Sequence, residues 1–183
     1  MPYAVVLHFS DELEKKVLAL WQKLADTKLT SSLLDFGISR PHISLASFEK
    51  ADVNILLKYV ENLAKSTPSF SLNFDSVGSF PTDEKVVYLA PNRSDGFISI
   101  HREFHKSIQN TDLSCNEYYL PGKWLPHCTV AYRVEDLNFK KAIEYCQETG
   151  HQFHGNVTGV GVLEYWPIKE LASFPLKTVN GSA

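Results

Sequence analysis

Pro41-His42-Ile43-Ser44-Leu45 and Pro126-His127-Cys128-Thr129-Val130 are two copies of one pattern, a histidine and a hydroxyl residue separated by a single residue in an apolar run. We call residues 41–45 the first motif and residues 126–130 the second motif. Successive side chains of a β-strand point to opposite faces, so each histidine shares a face with the hydroxyl residue two positions later. The residues expected to face a core are Ile43, Leu45, Cys128 and Val130.

Two such strands that face each other across a cleft would bring together two imidazoles and two hydroxyls. One imidazole can act as a general base and the other as a general acid, because histidine titrates near neutral pH. Hydroxyls can donate hydrogen bonds to the non-bridging oxygens of a phosphodiester, where charge accumulates in the transition state. The candidate catalytic residues are therefore His42, His127, Ser44 and Thr129.

The order strand, helix, motif strand, helix, strand occurs twice along the chain. Strands are predicted at 3–9, 42–48, 69–80, 85–90, 127–134, 152–166 and 171–176, and helices at about 11–27, 52–65, 95–110 and 136–148. We predict one α+β domain over residues 1–183, with halves of about 1–82 and 83–183 whose lobes can exchange strands. Two antiparallel-rich sheets, related by a pseudo-two-fold axis, are expected to face a central cleft with helices on the outside.

Composition narrows the classes of function. The 183 residues carry a formal net charge of −3, which disfavours a protein that tracks long duplex nucleic acid. If the substrate is a nucleotide or RNA, we expect a small nucleotide or a short RNA end, and we expect the protein to be a monomer. The sequence predicts neither a transmembrane helix nor a signal peptide. The three cysteines lack ligand-like spacing and indicate free thiols in a reducing compartment, the cytoplasm or the nucleus.

Strand alternation extended beyond the motifs gives two further candidates for substrate binding. Phe48 and Arg133 each lie six residues after their motif histidine. At a cleft edge, an aromatic ring can stack a base and a guanidinium can pair with a phosphate. The alternatives are that Phe48 belongs to the core and that Arg133 is a solvated charge at the end of a strand.

Other candidates flank the motifs. Tyr119, Lys123 and Trp124 lie in a glycine-containing loop before the second motif, which either covers a bound substrate or packs as an ordinary loop. Arg40 precedes the first motif and is a candidate phosphate ligand. His8 is expected to share a strand face with Ala4 and Val6 and to border the cleft, the core or the surface.

A metal site is not predicted. His101 and His105 are four residues apart on a predicted helix, a spacing that suits a metal, but no third ligand accompanies them and a solvated face is expected. A metalloprotein built on His42 and His127 is the third-ranked alternative, because no carboxylate or cysteine shares their strand faces. The sequence thus predicts no cofactor.

The two motifs resemble those of the two-histidine (2H) phosphoesterase superfamily, which includes 2′-5′ RNA ligase-like proteins and cyclic nucleotide phosphodiesterases. Residues 70–89 resemble the family's inter-lobe region in pattern, and residues 159–176 resemble its closing strands. Cys128 stands where the family usually has an aliphatic residue. The resemblance implies a bilobal fold, metal-independent catalysis, and substrates with a phosphodiester beside a 2′ or 3′ oxygen.

Carried onto this sequence, the resemblance implies that His42 and His127 are the acid and the base and that Ser44 and Thr129 hold phosphate. Hydrolysis of a 2′,3′-cyclic phosphate is the expected reaction, with cleavage of 2′-5′-linked oligonucleotides or 2′-5′ RNA ligation as alternatives. A rival from another class is a nucleotide- or RNA-binding module without catalysis. That rival predicts a damaged motif, and both motifs are intact.

Overall fold

A computed structural model describes residues 2–35, 37, 40–149 and 153–178. The strands and helices follow the order that the sequence patterns predict, with one additional short helix at Ser32–Asp35, and the two motif strands are shorter than expected. The strands are β1 (Tyr3–Phe9), β2 (Ile43–Phe48), β3 (Phe70–Phe80), β4 (Val86–Pro91), β5 (Cys128–Ala131), β6 (His154–Glu164) and β7 (Lys169–Pro175). The helices are α1 (Asp11–Asp26), α2 (Ser32–Asp35), α3 (Val53–Ser66), α4 (Asp95–Ile108) and α5 (Asp136–Thr149), with a 3₁₀ turn at Glu117–Tyr119.

The helices begin where the sequence supplies acidic and capping residues. Asp52 caps α3, and its carboxylate accepts hydrogen bonds from the backbone N–H groups of Asn54 and Ile55. Asp11, Glu12 and Glu14 place negative charge in the first turn of α1, where the helix dipole favours it.

The strands form one hydrogen-bonded path in the order β2-β1-β6-β3-β4-β5, with β7 paired to residues 159–164 of β6. Every pairing between these strands is antiparallel. Residues 70–73 of β3 pair with β6, whereas residues 74–80 pair with β4, so β3 joins the two groups of strands. The predicted α+β class with antiparallel strands is confirmed, and the two-fold relation between the halves stays a prediction.

The core lies between the sheet and the helices. Val5, Leu7 and Phe9 of β1 point into it and meet the buried face of α1. Ala4 and Val6 point to the opposite face and pack against Leu163 of β6. His8 continues that second face and is also buried, so β1 is covered on both sides and holds a histidine next to β2.

Candidate active site

The two motif strands occupy opposite ends of the strand order, yet their polar residues line one pocket. His42 and Ser44 from the first motif and His127 and Thr129 from the second surround it, and Trp21 and Leu33 close it from the helical side. The pocket is small, about 40 Å³. The Cys128 thiol is buried, as predicted, and lies beside the backbone of His42 in the other motif. The sheet therefore curves until its two ends meet at the four residues that the repeated pattern singled out.

Both motif strands contain an extra residue directly after the hydroxyl position. In β2, Val5 pairs with Ala46 while Val6 pairs with Ser44, so Leu45 is bulged. In β5, Val87 pairs with Ala131 while Tyr88 pairs with Thr129, so Val130 is bulged. A bulge re-aims the side chains that follow it. The two motifs thus share a backbone irregularity that the sequence did not reveal.

Each motif histidine is held by the same hydrogen bond. His42 Nδ1 donates to the carbonyl of Arg40 at 3.0 Å, and His127 Nδ1 donates to the carbonyl of Leu125 at 2.8 Å. A carbonyl can only accept, so Nδ1 carries the proton in both rings. Nε2 is then the nitrogen of each imidazole that remains for proton transfer.

Burial lowers the pKa of both motif histidines. For His42, the nearby His127 and Arg40 lower the pKa further, while the hydrogen bond to the Arg40 carbonyl opposes the shift. For His127, burial lowers the pKa and the hydrogen bond to the Leu125 carbonyl opposes it. The free protein therefore favours neutral imidazoles at neutral pH, with Nε2 unprotonated.

A cluster of charged and polar side chains lies beside the first motif. The Arg40 guanidinium donates from Nε and Nη2 to Glu14 Oε2 at 3.0 and 2.9 Å, and its Nη1 is 3.9 Å from Glu170 Oε2. Its Nη1 is also 3.5 Å from Nδ1 of His8. Arg40 is thus ion-paired with two carboxylates, an arrangement that does not suit the phosphate contact proposed for it.

His8 is neutral in this cluster. Burial, Arg40 and His42 lower the pKa of His8 to about 3. Its Nε2 is 3.3 Å from Glu170 Oε2 and its Nδ1 is 3.0 Å from the Ser173 hydroxyl. The consistent tautomer donates from Nε2 to the carboxylate and accepts from Ser173 at Nδ1. His8 therefore borders the first motif from within the sheet, at 2% exposure.

The loop before the second motif supports the first motif. The Tyr119 phenol lies beside the Ser44 side chain, and burial raises the pKa of the phenol. Trp124 Nε1 donates to the backbone carbonyl of Ser44 at 2.9 Å. Lys123 points away and pairs with Glu117 at 2.6 Å. Of these three candidates, Tyr119 alone brings a side-chain group to a motif hydroxyl.

Aromatic rings surround the second motif instead. The His127 ring meets Phe80 edge-on at 5.1 Å between centroids and lies 5.4 Å from Tyr88. Gly78 lies under Tyr88, where a Cβ would overlap the phenol ring. The wall of the second motif is therefore apolar, whereas that of the first motif is charged.

Because of the bulges, the side chains of Phe48 and Arg133 do not lie where strand alternation predicts. Phe48 is fully buried and packs edge-on against Phe104, so the prediction that it borders the cleft is wrong. The bulge at Leu45 shifts the alternation by one residue, which turns Phe48 to the core face. After the bulge at Val130, Arg133 has a left-handed backbone (φ 52°), is exposed, and pairs with Glu84 at 3.4 Å. The alternation that placed Arg133 on the face of His127 does not hold.

The prediction for the two histidines of α4 is also corrected. His101 and His105 are buried and do not form a solvated face. The His101 ring stacks on Trp124 at 4.0 Å between centroids, and its Nε2 donates to the Tyr119 carbonyl at 2.8 Å. Because α4 is the neighbour of this loop, His101 braces the segment that holds Ser44.

Several residues of the site were missed from the sequence. Trp21 lies in a predicted helix, Phe80 and Tyr88 lie in predicted strands, and Leu33 lies in a segment for which no element was predicted. Glu14, Glu170 and Ser173 lie far from the motifs along the chain, and no local pattern joins them to Arg40 or His8. Trp21 Nε1 is buried and has no hydrogen-bond partner among the described residues.

The described part of the chain contains no cluster of three or more histidine, cysteine or carboxylate side chains placed to hold a metal ion. Its three cysteines are free. None of the described helices has the length and apolar character needed to cross a bilayer.

Comparison with known proteins shows to which family this chain belongs. The family model of the 2′-5′ RNA ligase superfamily matches residues 9–166, and the chain therefore belongs to this superfamily of 2H phosphoesterases. A protein of Bacillus cytotoxicus named as a phosphoesterase is 25% identical over 129 residues, which cover 65% of this chain and 71% of the relative.

Solved structures share the fold. TT0787 of Thermus thermophilus superposes with a TM-score of 0.63 at 14% identity, covering 98% of this chain and all of its own. Escherichia coli LigT complexed with 3′-AMP superposes with a TM-score of 0.62 at 13% identity, covering 97% of this chain and 99% of LigT. At these identities the likeness concerns the fold.

Proposed function

We propose that this protein is a phosphodiesterase that opens a 2′,3′-cyclic phosphate on a nucleotide or RNA end by proton transfer between water, substrate and two imidazoles. The observation that carries the proposal is the shared pocket of His42, Ser44, His127 and Thr129, with both Nδ1 atoms engaged and both Nε2 atoms left for chemistry. The family membership supports a phosphoesterase or ligase reaction at this pocket.

The reaction balances with the four residues alone. Nε2 of one imidazole takes a proton from water as the water oxygen bonds to phosphorus. The bond from phosphorus to one ribose oxygen breaks, and Nε2–H of the other imidazole protonates that leaving oxygen. Ser44 and Thr129 donate hydrogen bonds to the non-bridging oxygens as negative charge grows on them. Because this scheme needs no metal, activity is expected to survive a chelator.

Substrate binding supplies the protonation state that the reaction needs. Burial lowers the pKa of both imidazoles in the free protein, so neither is charged at neutral pH. A bound phosphodiester places a negative charge beside them, which raises their pKa values again. One imidazole can then bind a proton and serve as the acid, while the other stays neutral and serves as the base.

A second candidate reaction is supported by the family name. Cleavage or formation of 2′-5′ linkages uses the same acid and base on a longer substrate, and the matching family model is that of 2′-5′ RNA ligases. The LigT structure containing 3′-AMP supports a nucleotide as the ligand class. The free cysteines agree with action in a reducing compartment, the cytoplasm or the nucleus.

The test is turnover of 2′,3′-cyclic nucleotides, and of 2′-5′-linked dinucleotides in parallel, in excess chelator. The wild-type chain is compared with His42→Ala and His127→Ala. Turnover of the cyclic substrate that survives chelator and collapses in both variants supports the proposal. Turnover of the 2′-5′ substrate alone favours the second candidate. Nucleotide binding without turnover would point to a binding module.

A further inference from the structure

The carbonyl groups that hold the two motif histidines belong to very different residues. His127 is held by Leu125, whose side chain is 46% exposed. His42 is held by Arg40, whose guanidinium is fixed by Glu14 and lies beside Glu170 and His8. The same local hydrogen bond therefore has an anchored acceptor in the first motif.

Pro41 makes the anchor effective. The proline ring fixes its own φ and restricts the backbone of the residue before it. Arg40 and His42 are thus joined by a stiff residue, and the position of the Arg40 carbonyl follows the position of the Arg40 side chain. Anchoring the guanidinium limits where the carbonyl, and hence the imidazole that donates to it, can lie.

The anchor itself is rigid. Two guanidinium nitrogens of Arg40 donate to one carboxylate oxygen of Glu14, a residue of α1. Glu170 of β7 accepts from His8 and lies within 3.9 Å of Arg40. Arg40 is therefore connected to a helix and to two strands, β1 and β7, and its side chain is only 33% exposed.

We propose that Arg40 is a positioning residue that holds the His42 imidazole for proton transfer through its own backbone carbonyl. This inference rests on the proposed function, since proton transfer at His42 belongs to it. The second motif reaches the same hydrogen bond through Leu125 and needs no charged anchor. The two histidines therefore differ in how firmly they are held.

The groups that face His42 shift its pKa in both directions. The groups around it from the neighbouring elements are His127, His8, Arg40, Glu14, Glu170 and Tyr119. The Arg40 charge disfavours a protonated His42, so removing it raises the pKa of His42. Freeing Glu14 and Glu170 from their ion pairs acts in the same direction, as does any gain in solvent exposure. A weaker hydrogen bond to the Arg40 carbonyl acts in the opposite direction and lowers the pKa of His42.

The experiment compares Arg40→Met with the matched control Arg102→Met, which removes an exposed guanidinium from α4. For a 2′,3′-cyclic nucleotide, Arg40→Met is expected to lower kcat about 10- to 100-fold with little change in KM, because a misplaced catalytic group costs rate more than binding. Imidazole NMR titration is expected to show a changed pKa for His42 and a much smaller change for His127. Arg102→Met should change none of these.

Three results would overturn the proposal. Unchanged kcat together with an unchanged His42 titration would show that Arg40 does not act on His42. A rise in KM with unchanged kcat would make Arg40 a substrate contact. Full recovery in Arg40→Lys, which keeps the charge but not the two-pronged donor, would show that charge alone matters.

The proposed function and the proposed role of Arg40 can be tested independently of each other. If the wild-type chain turns over none of the tested phosphodiesters, the proposed function fails, while the imidazole NMR signals of His42 in Arg40→Met still test the anchor. A ring released from the Arg40 carbonyl no longer keeps its proton on Nδ1, whereas an unchanged tautomer would contradict the anchor. If Arg40→Met does not fold, Glu14→Gln weakens the same anchor with a shape-conserving change. A fall in kcat without a change in KM in that variant supports the proposal, and wild-type kinetics would contradict it.

Discussion

The two motifs use the same local chemistry in different surroundings. In each, a proline precedes the histidine, the histidine Nδ1 donates to the carbonyl two residues before it, and a bulge follows the hydroxyl residue. The first motif is surrounded by Arg40, His8 and Tyr119, whereas the second lies against Phe80 and Tyr88.

The difference shows which properties reside in the motif and which come from its neighbours. The proton position on each imidazole is set by a carbonyl two residues away and is the same in both motifs. Electrostatic surroundings come from distant elements, from α1 and β7 for the first motif and from β3 and β4 for the second. The histidine and the hydroxyl residue are thus expected to be essential for catalysis in both motifs. The side chains that surround them differ, so substitutions of those side chains should have different effects in the two motifs.

The largest expected effect is the loss of either imidazole. His42→Ala and His127→Ala should each lower kcat about 100- to 10,000-fold, which is what general acid–base catalysis supplies. Because the two groups act in one step, the double variant should lose little more than either single variant. Steady-state kinetics with His154→Ala, an exposed histidine, provides the control. If either single variant kept most of the wild-type kcat, the two motif histidines would not be equally important for catalysis.

Loss of a motif hydroxyl should have the next largest effect. Ser44→Ala and Thr129→Val should each lower kcat about 10- to 1,000-fold, because each removes a donor to the developing phosphate charge. Tyr119→Phe keeps the Ser44 hydroxyl and removes only its neighbour, so its effect on kcat should be smaller than that of Ser44→Ala. Equal losses of kcat in Tyr119→Phe and Ser44→Ala would instead indicate that the Tyr119 phenol takes a direct part in the reaction.

A test specific to the second motif is Gly78→Ala. The new methyl group would overlap the Tyr88 ring, which touches His127. Overpacking of this kind should lower the free energy of unfolding by about 1–3 kcal/mol. The displaced ring should also change the NMR signals of His127 more than those of His42. Urea unfolding of Gly78→Ala beside Ser76→Ala, an exposed position on the same strand, measures the effect, and equal stabilities would contradict the close contact.

The smallest expected effect concerns the support of the first motif. Trp124→Phe removes the hydrogen bond to the Ser44 carbonyl and keeps an aromatic ring against His101. The free energy of unfolding should fall by about 0.5–1.5 kcal/mol, the usual net contribution of one hydrogen bond. Tyr118→Phe, an exposed aromatic in the same loop, should leave it unchanged. Thermal unfolding of the two variants separates these outcomes.

The alternation of side chains that was read from the sequence agrees with the structure as far as the two bulges and fails beyond them. Alternation holds from His42 to Ser44 and from His127 to Thr129, because each histidine directly precedes its strand and the bulge comes only after the hydroxyl residue. One extra residue then turns Phe48 into the core and separates Arg133 from the face of His127. A bulge depends on the pairing with β1 or β4, and neither the motif nor its flanks encode that pairing in a local pattern.

Long-range partners were equally hidden. His8 was expected to border the cleft, the core or the surface, and Arg40 was a candidate phosphate ligand. Their neighbours Glu14, Glu170 and Ser173 come from α1 and β7. Trp124 was expected either to cover a substrate or to pack in its loop, and it packs on His101 and braces Ser44. The chemistry was visible in short patterns, whereas its support depends on tertiary contacts.

The most direct test of the two-imidazole mechanism is the pH dependence of kcat/KM for a 2′,3′-cyclic nucleotide in excess chelator. The wild-type profile should be bell-shaped, since one imidazole must be neutral and the other protonated. Burial lowers the pKa of both histidines, so both limbs move to lower pH and the maximum should lie below about 6.5, the ordinary pKa of histidine. In His42→Ala and in His127→Ala, one limb should disappear from the residual activity. A profile that keeps both limbs in either variant would contradict the mechanism.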